Sequence, residues 1–271
     1  MKQFVLPLVM LSFAAPWGVN CPASEPNLPA DADPMKLFEP RQFAAEDGEQ
    51  LNYRLLKPAD YKPDTYNANR LYPLVIFLHG AGERGADNTA QLKHCLAEFC
   101  TPERREKYPC YVLAPQCPPA QKWLEIDWSQ EQPEYPQQIS RPLDLTLQVV
   151  ESMLADSAID KSRVYVAGLS MGGYGTWDAL ARRPELFAAA IPICGGGDVA
   201  AAAKISHIPI WCFHGAKDTV VKPEKSRAMI EALRTAGGQP RYTEYPDAQH
   251  DSWTRTFSND ETFQWLFAQK K

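Results

Sequence analysis

The chain has 271 residues, 45% of them hydrophobic and 23% charged, which excludes wholesale disorder and leaves room for one large domain or two small ones. Its 28 basic and 33 acidic residues give a net charge of −5 with no basic tract, so no nucleic acid partner is expected. With 24 prolines against 15 glycines, the composition describes proline-punctuated loops around a core, and excludes a collagen-like chain.

Met1-Lys2-Gln3 followed by the apolar run Phe4 to Ala15 has the pattern of a secretory signal peptide, too short to span a bilayer. Cleavage after Ala14, Ala15 or Ala23 fits, so residues 1–23 are read as a signal peptide and 24–37 as a polar linker. Cys21 invites lipidation, but Asn20 is bulky where a small residue is wanted. The expectation is a secreted or periplasmic protein without stable membrane insertion once the signal is removed.

From there the elements follow in order. Residues 51–56 alternate loosely and predict an early antiparallel strand. Continuous apolar runs at 73–79, 111–114, 163–168, 188–193 and 208–213 predict strands buried on both faces. Helical spacing runs from Leu143 through Leu147 and Val150 to Leu154. Further helices are expected over 171–183, 223–235 and 261–268, with a last strand at 241–245. Strands alternating with helices from about residue 71 onward predict one doubly wound, mostly parallel α/β sheet, in a single catalytic domain over residues 38–271.

Seven cysteines are present, and six remain beyond Cys21. Cys95, Cys100, Cys110 and Cys117 fall in a stretch rich in Pro, Lys and Glu that reads as a surface excursion. In an oxidising compartment at least one disulfide is expected among them. Cys194 and Cys212 sit in apolar runs and are expected to be core thiols. The spacing lacks any Cys-x-x-Cys pair, and no metal or cofactor is expected.

Gly168-Leu169-Ser170-Met171-Gly172 lies between an expected strand and an expected helix, the setting of a nucleophile elbow. A serine hydroxyl needs a base, and in such folds the order is serine, acid, histidine. Asp218 follows the strand ending near His214, and His250 lies in the loop after the last strand, so Ser170, Asp218 and His250 are the catalytic candidates. His214, on its strand, reads as a structural hydrogen-bonding residue. Asp247 and Asp251 are rival acids too close to His250 for the usual order. The oxyanion donors are expected at Met171 N–H and at Ala81 N–H, with Gly82 the rival for the second. Glu83 and Arg84 either pair to hold that loop or are solvated.

These motifs, with His79-Gly80-Ala81-Gly82-Glu83-Arg84-Gly85, Pro192-Ile193-Cys194-Gly195-Gly196-Gly197-Asp198, Phe213-His214-Gly215-Ala216-Lys217-Asp218 and His250-Asp251-Ser252-Trp253, resemble secreted esterases of the polyhydroxybutyrate depolymerase and feruloyl esterase type. The resemblance spans about residues 40–268. It implies an α/β-hydrolase fold and matches Ser170, Asp218 and His250 to nucleophile, acid and base. Gln249 departs from the glycine that family tends to carry there, and the excursion at 92–117 is peculiar to this chain.

No lid domain fits between Ser170 and Asp218 or between Asp218 and His250. An open site favours an ester projecting from a bulky or polymeric substrate, such as feruloyl or acetyl groups on a plant polysaccharide. Among Trp123, Trp128, Trp177 and Trp253, the last and Trp128 are the substrate-binding candidates for an aromatic wall. A peptidase or phospholipase with the same three residues is the alternative.

Overall fold

The computed structural model describes residues 32–61, 70–128, 130, 133–155 and 158–271; the expected signal peptide and most of the linker lie outside them. Eight strands form one sheet: β1 (Glu39–Ala44), β2 (Gln50–Leu56), β3 (Tyr72–Leu78), β4 (Tyr111–Pro115), β5 (Ile159–Leu169), β6 (Ala189–Ile193), β7 (Trp211–Gly215) and β8 (Arg241–Tyr245). Their order is β1-β2-β4-β3-β5-β6-β7-β8. β1 and β2 run antiparallel to their neighbours, and every pairing from β4 to β8 is parallel. This is the α/β-hydrolase fold.

Strand alternation explains the two layers of core. In β3, Leu74, Ile76 and Leu78 face one cluster, while Val75 and Phe77 face the other. The first cluster is covered by α3 (Arg141–Leu154), α4 (Met171–Arg182) and α6 (Glu224–Thr235), which supply Leu147, Leu180 and Leu233. The second receives Phe257 from α7 (Ser252–Ser258) and Phe263 and Leu266 from α8 (Asp260–Phe267). A strand buried on both faces has no polar side, hence the unbroken apolar runs. Pro40 in β1 is tolerated because β1 is an edge strand, where a missing N–H costs no ladder bond. The remaining helices, α1 (Pro34–Leu37), α2 (Pro102–Lys107) and α5 (Ala202–Ile205), are short, and among the described residues no helix is long and apolar enough to cross a membrane.

The excursion at 92–117 corrects its reading as a surface loop. Leu92, Leu96, Phe99, Cys100 and Cys110 are buried in the second core cluster, with the Phe99 ring 4.9 Å from that of Phe263. Arg104 is drawn in with them, donating to the Phe257 carbonyl at 2.7 Å and to Asp260 Oδ1 at 3.0 Å. The expected disulfide is absent: Cys95, Cys100, Cys110 and Cys117 are all free thiols. Apolar packing and the Arg104 contacts hold the segment where a covalent staple was expected. Burial pushes the Cys100, Cys110 and Cys117 thiols up to about 12. Cys194 and Cys212 are buried thiols as well.

The chain leaves β3 toward β4 and returns to β5 on the other side of β3. The crevice at the carboxyl ends of β3 and β5 is therefore a topological switch point, where open α/β sheets bind ligands. The last β3–β5 partners are Leu78 and Gly168, so the His79 loop and the Ser170 turn emerge side by side.

Candidate active site

Ser170 stands between β5 and α4 with φ 53° and ψ −116°, a backbone state that L-residues rarely hold. Close packing imposes it. A methyl group on Gly172 would collide with the Leu78 carbonyl, and one on Gly168 with the Gly172 carbonyl. The helix therefore starts directly against β3, and the turn is too tight for ordinary backbone. Ser170 N–H donates to the Ile193 carbonyl at 2.9 Å, tying the turn to β6.

The structure brings Ser170, His250 and Asp218 together. His250 Nε2 is 2.9 Å from Ser170 Oγ, and His250 Nδ1 is 2.7 Å from Asp218 Oδ2. A carboxylate only accepts, so Nδ1 carries the proton and Nε2 is left to accept from the serine. Asp218 Oδ1 accepts from Val220 N–H at 2.8 Å and Val221 N–H at 2.9 Å. Burial alone would raise the Asp218 carboxyl. Hydrogen bonds from His214 and His250, with the Val221 N–H, outweigh it and hold the group far below the usual carboxylate range. The His250 loop can lie on the end of β7 because residue 215 is glycine: a methyl there would strike the Gln249 carbonyl. The Gln249 side chain itself points to solvent. Of the rival acids, Asp247 pairs with Arg255 at 2.8 Å, and Asp251 stands at the N-cap of α7 without a side-chain capping bond.

Met171 is the first residue of α4, so its N–H has no partner within the helix. Ala81 opens a 3-10 turn, Ala81–Glu83, and a methyl on the preceding Gly80 would come 3.7 Å from Ser170 Cβ. Met171 thus follows the serine directly, and Gly80, the residue before Ala81, lies beside it. The loop's shape rests on His79, which is buried beside it. Its Nδ1 donates to the Gly80 carbonyl at 2.6 Å and its Nε2 accepts from Cys117 N–H at 2.9 Å. Burial pushes this imidazole down to about 4. Trp123 Nε1 donates to the His79 carbonyl at 3.0 Å from below.

Glu83 and Arg84 do not pair with each other. Arg84 donates to the Ala81 carbonyl at 2.9 Å, closing the turn, and buried Glu83 faces His94 at 3.4 Å. The His94 ring lies 5.5 Å from Trp253, whose ring meets His250 edge-on at 5.3 Å. Trp253 therefore walls the His250 side. Trp128 instead stands exposed on segment 122–138, with the Lys122 ammonium 4.7 Å over its ring. Trp123 and Trp177 are core residues. Opposite, Leu124 and Ile126 pack on Tyr174 with Tyr135, whose hydroxyl donates to the Gly197 carbonyl at 2.7 Å. His94, Trp123 and Tyr135 had no signal in the motifs, because their partners lie far off along the chain.

Cys194, Asp218 and His250 offer donor atoms within 4.8 Å of one another. Asp218 and His250 already bond each other, and burial keeps Cys194 a thiol, its pKa well above the ordinary value. The trio reads as the floor of the serine site.

Known proteins bear on this geometry. The family model described as phospholipase/carboxylesterase matches residues 66–264. A crystal structure of a thermostable esterase superposes with a TM-score of 0.78 at 42% identity, over 88% of this chain and 64% of that one. A bifunctional acetylxylan esterase/xylanase of Neocallimastix patriciarum is 30% identical over 40% of this chain and 16% of its own. A poly(3-hydroxyalkanoate) depolymerase C of Paucimonas lemoignei is 34% identical over 46% of this chain and 28% of its own. The chain spans less than two thirds of the length of each of these three proteins.

Proposed function

The chain belongs to the phospholipase/carboxylesterase family, and from that premise we propose that it is a serine hydrolase of carboxylic esters, with Ser170 as nucleophile, His250 as base and Asp218 as its orienting acid. The observation that carries the reading is the unbroken hydrogen-bond line from Ser170 Oγ through His250 to Asp218, at 2.9 and 2.7 Å. His250 Nε2 takes the hydroxyl proton as Ser170 Oγ bonds to the ester carbonyl carbon. The carbonyl oxygen becomes an oxyanion, stabilised by Met171 N–H and Ala81 N–H at the positive end of α4. Asp218, ionised and buried, stabilises the imidazolium that forms. The alcohol leaves with the proton from His250. Water, deprotonated by the same nitrogen, then releases the acid and restores Ser170.

Acetyl or feruloyl groups on plant polysaccharides are the proposed substrates. Support comes from the absence of any inserted lid in the Ser170–Asp218 and Asp218–His250 intervals, which hold only α4, β6, a 3-10 turn (Val199–Ala201), the four-residue helix Ala202–Ile205, β7, α6 and β8. The acetylxylan esterase relative lends the same direction. The proposal includes export, motivated by the first 23 residues; cell fractionation and the N-terminus of the mature protein test it.

The enzymatic test uses wild-type protein and Ser170→Ala with p-nitrophenyl acetate, acetylated and feruloylated xylan oligomers, peptides and long-chain triacylglycerols. We expect fluorophosphonate to label Ser170, and acetate or hydroxycinnamate to be released from xylan. Peptide hydrolysis that matches ester hydrolysis in kcat/KM makes it a peptidase instead.

A further inference from the structure

A second histidine reaches the same carboxylate from beneath. His214 lies in β7, with no exposed surface, and is one of two imidazoles on Asp218 Oδ2. Its Nε2 is 3.2 Å from Asp218 Oδ2 and 2.8 Å from the Val221 carbonyl oxygen. A carbonyl cannot donate, so Nε2 carries a proton and shares it between these two acceptors. At the other side of the ring, Nδ1 lies 2.7 Å from Ser226 Oγ, which is also 2.9 Å from the Gly195 carbonyl oxygen. Ser226 is wholly buried too. The ring is thus fixed at both nitrogens, by α6, by the turn after β6 and by the Asp218 loop.

We propose that His214 is a positioning residue for the acid of the site. Through its Nε2–H it sets the rotation of the Asp218 carboxylate, and so the direction in which His250 Nε2 meets Ser170. This rests on the reading of Ser170, His250 and Asp218 given above. The chemistry favours such a role over simple core filling. A carboxylate bonded only by Val220, Val221 and His250 keeps freedom for Oδ2 to swing, and a donor from the strand beneath removes it. The line Gly195–Ser226–His214–Asp218 also connects the turn after β6 to the end of β7, its neighbour in the sheet, from which the Asp218 loop continues. His214 touches neither His250 nor the reacting atoms, so its contribution is to geometry.

The test is a double-mutant cycle read on p-nitrophenyl acetate, with folding followed by thermal unfolding. His214→Phe keeps an aromatic ring and loses the donor. It should lower kcat about 10–100-fold with KM changed less than about threefold, the scale of a sub-ångström misplacement. His214→Gln returns a side-chain N–H near the Nε2 position and should recover most of that loss. In an Asp218→Ala background, His214→Phe should cost less than about twofold further, because the side chain it orients is gone. An equal fold-loss in both backgrounds overturns the inference, since His214 then acts elsewhere. So does a His214→Gln variant as impaired as His214→Phe. If His214→Phe does not fold, Ser226→Ala takes its place in the same cycle, where an equal fold-loss in both backgrounds again overturns the inference and a loss confined to the Asp218 background supports it. Near-normal activity in Asp218→Ala alone sinks the underlying site reading, and the positioning inference with it.

Discussion

The two halves of the site are fixed by different physics. On the side of the proposed nucleophile, Ser170 is placed by backbone against backbone: glycines at 168 and 172 allow contacts that any side chain would block. On the side of the proposed acid and base, Asp218 and His250 are placed by hydrogen bonds between side chains and loop N–H groups. Steric exclusion is all-or-none, whereas hydrogen-bonded placement fails by degrees. Damage on the first side should therefore destroy the fold, and damage on the second should erode the rate while the fold survives.

The largest expected effect tests whether the serine itself is separable from its turn. Ser170→Ala should reduce turnover of p-nitrophenyl acetate by about four to six orders of magnitude, with an unchanged unfolding midpoint. Retained activity there removes Ser170 from the chemistry. Gly172→Ala probes the turn directly. Its new methyl meets the Leu78 carbonyl, so we expect more than about 4 kcal/mol of lost stability, seen as insoluble or denaturant-sensitive protein. A well-folded Gly172→Ala protein breaks the contrast between the halves.

Acid provides a graded blow to the nucleophile side, through His79. The folded protein holds this imidazole at about 4, while an unfolded one titrates near 6.5. Its contribution is complete above about pH 6.5 and is lost as pH falls toward 4, because the unfolded chain binds a proton that the folded one refuses. About 3 kcal/mol is at stake for so buried a group. Denaturant unfolding at pH 7 and 4.5 measures it, and His79→Gln, which keeps an acceptor for Cys117 N–H, should flatten the dependence. Asp218, held far below the carboxylate range, should add no step of its own across that window.

The smallest effects sharpen the acid–base side. Trp253→Ala removes the ring against His250 and should lower kcat/KM about tenfold on every ester. Trp128→Ala should change p-nitrophenyl acetate turnover by less than about twofold, and weaken only polymeric substrates. Equal losses on the small ester place Trp128 nearer the chemistry than its exposure suggests.

Legibility in the chain follows the same division. Features set by local pattern were readable: the buried strands, the tight turn at 168–172 between β5 and α4, and the loops after β7 and β8 that carry Asp218 and His250. Strand β8 falls at the expected residues, while β7 begins at Trp211 because Ile208 and Pro209 lead into it. Features set by contacts between distant residues were not readable. Polar composition made 92–117 resemble a surface loop, although Leu92, Leu96 and Phe99 fill a core whose other wall comes from α7 and α8. His214 was recognisable as a buried hydrogen-bonding residue, but its partners Ser226 and Gly195 emerge only when α6 packs on the sheet.

The buried thiols carry a kinetic consequence. Cys117 and Cys212 lie on one face of the sheet, and Cys100, Cys110 and Cys194 on the other. With their thiolates suppressed by burial, these sulfurs react with an alkylating reagent only when their surroundings open. Each alkylation rate is then a clock for one neighbourhood of the native state, much as amide exchange is. Slow, equal rates at all five mean that the two faces come apart only together. Faster modification at Cys100 and Cys110 would mark the α7–α8 side as the layer that breathes first.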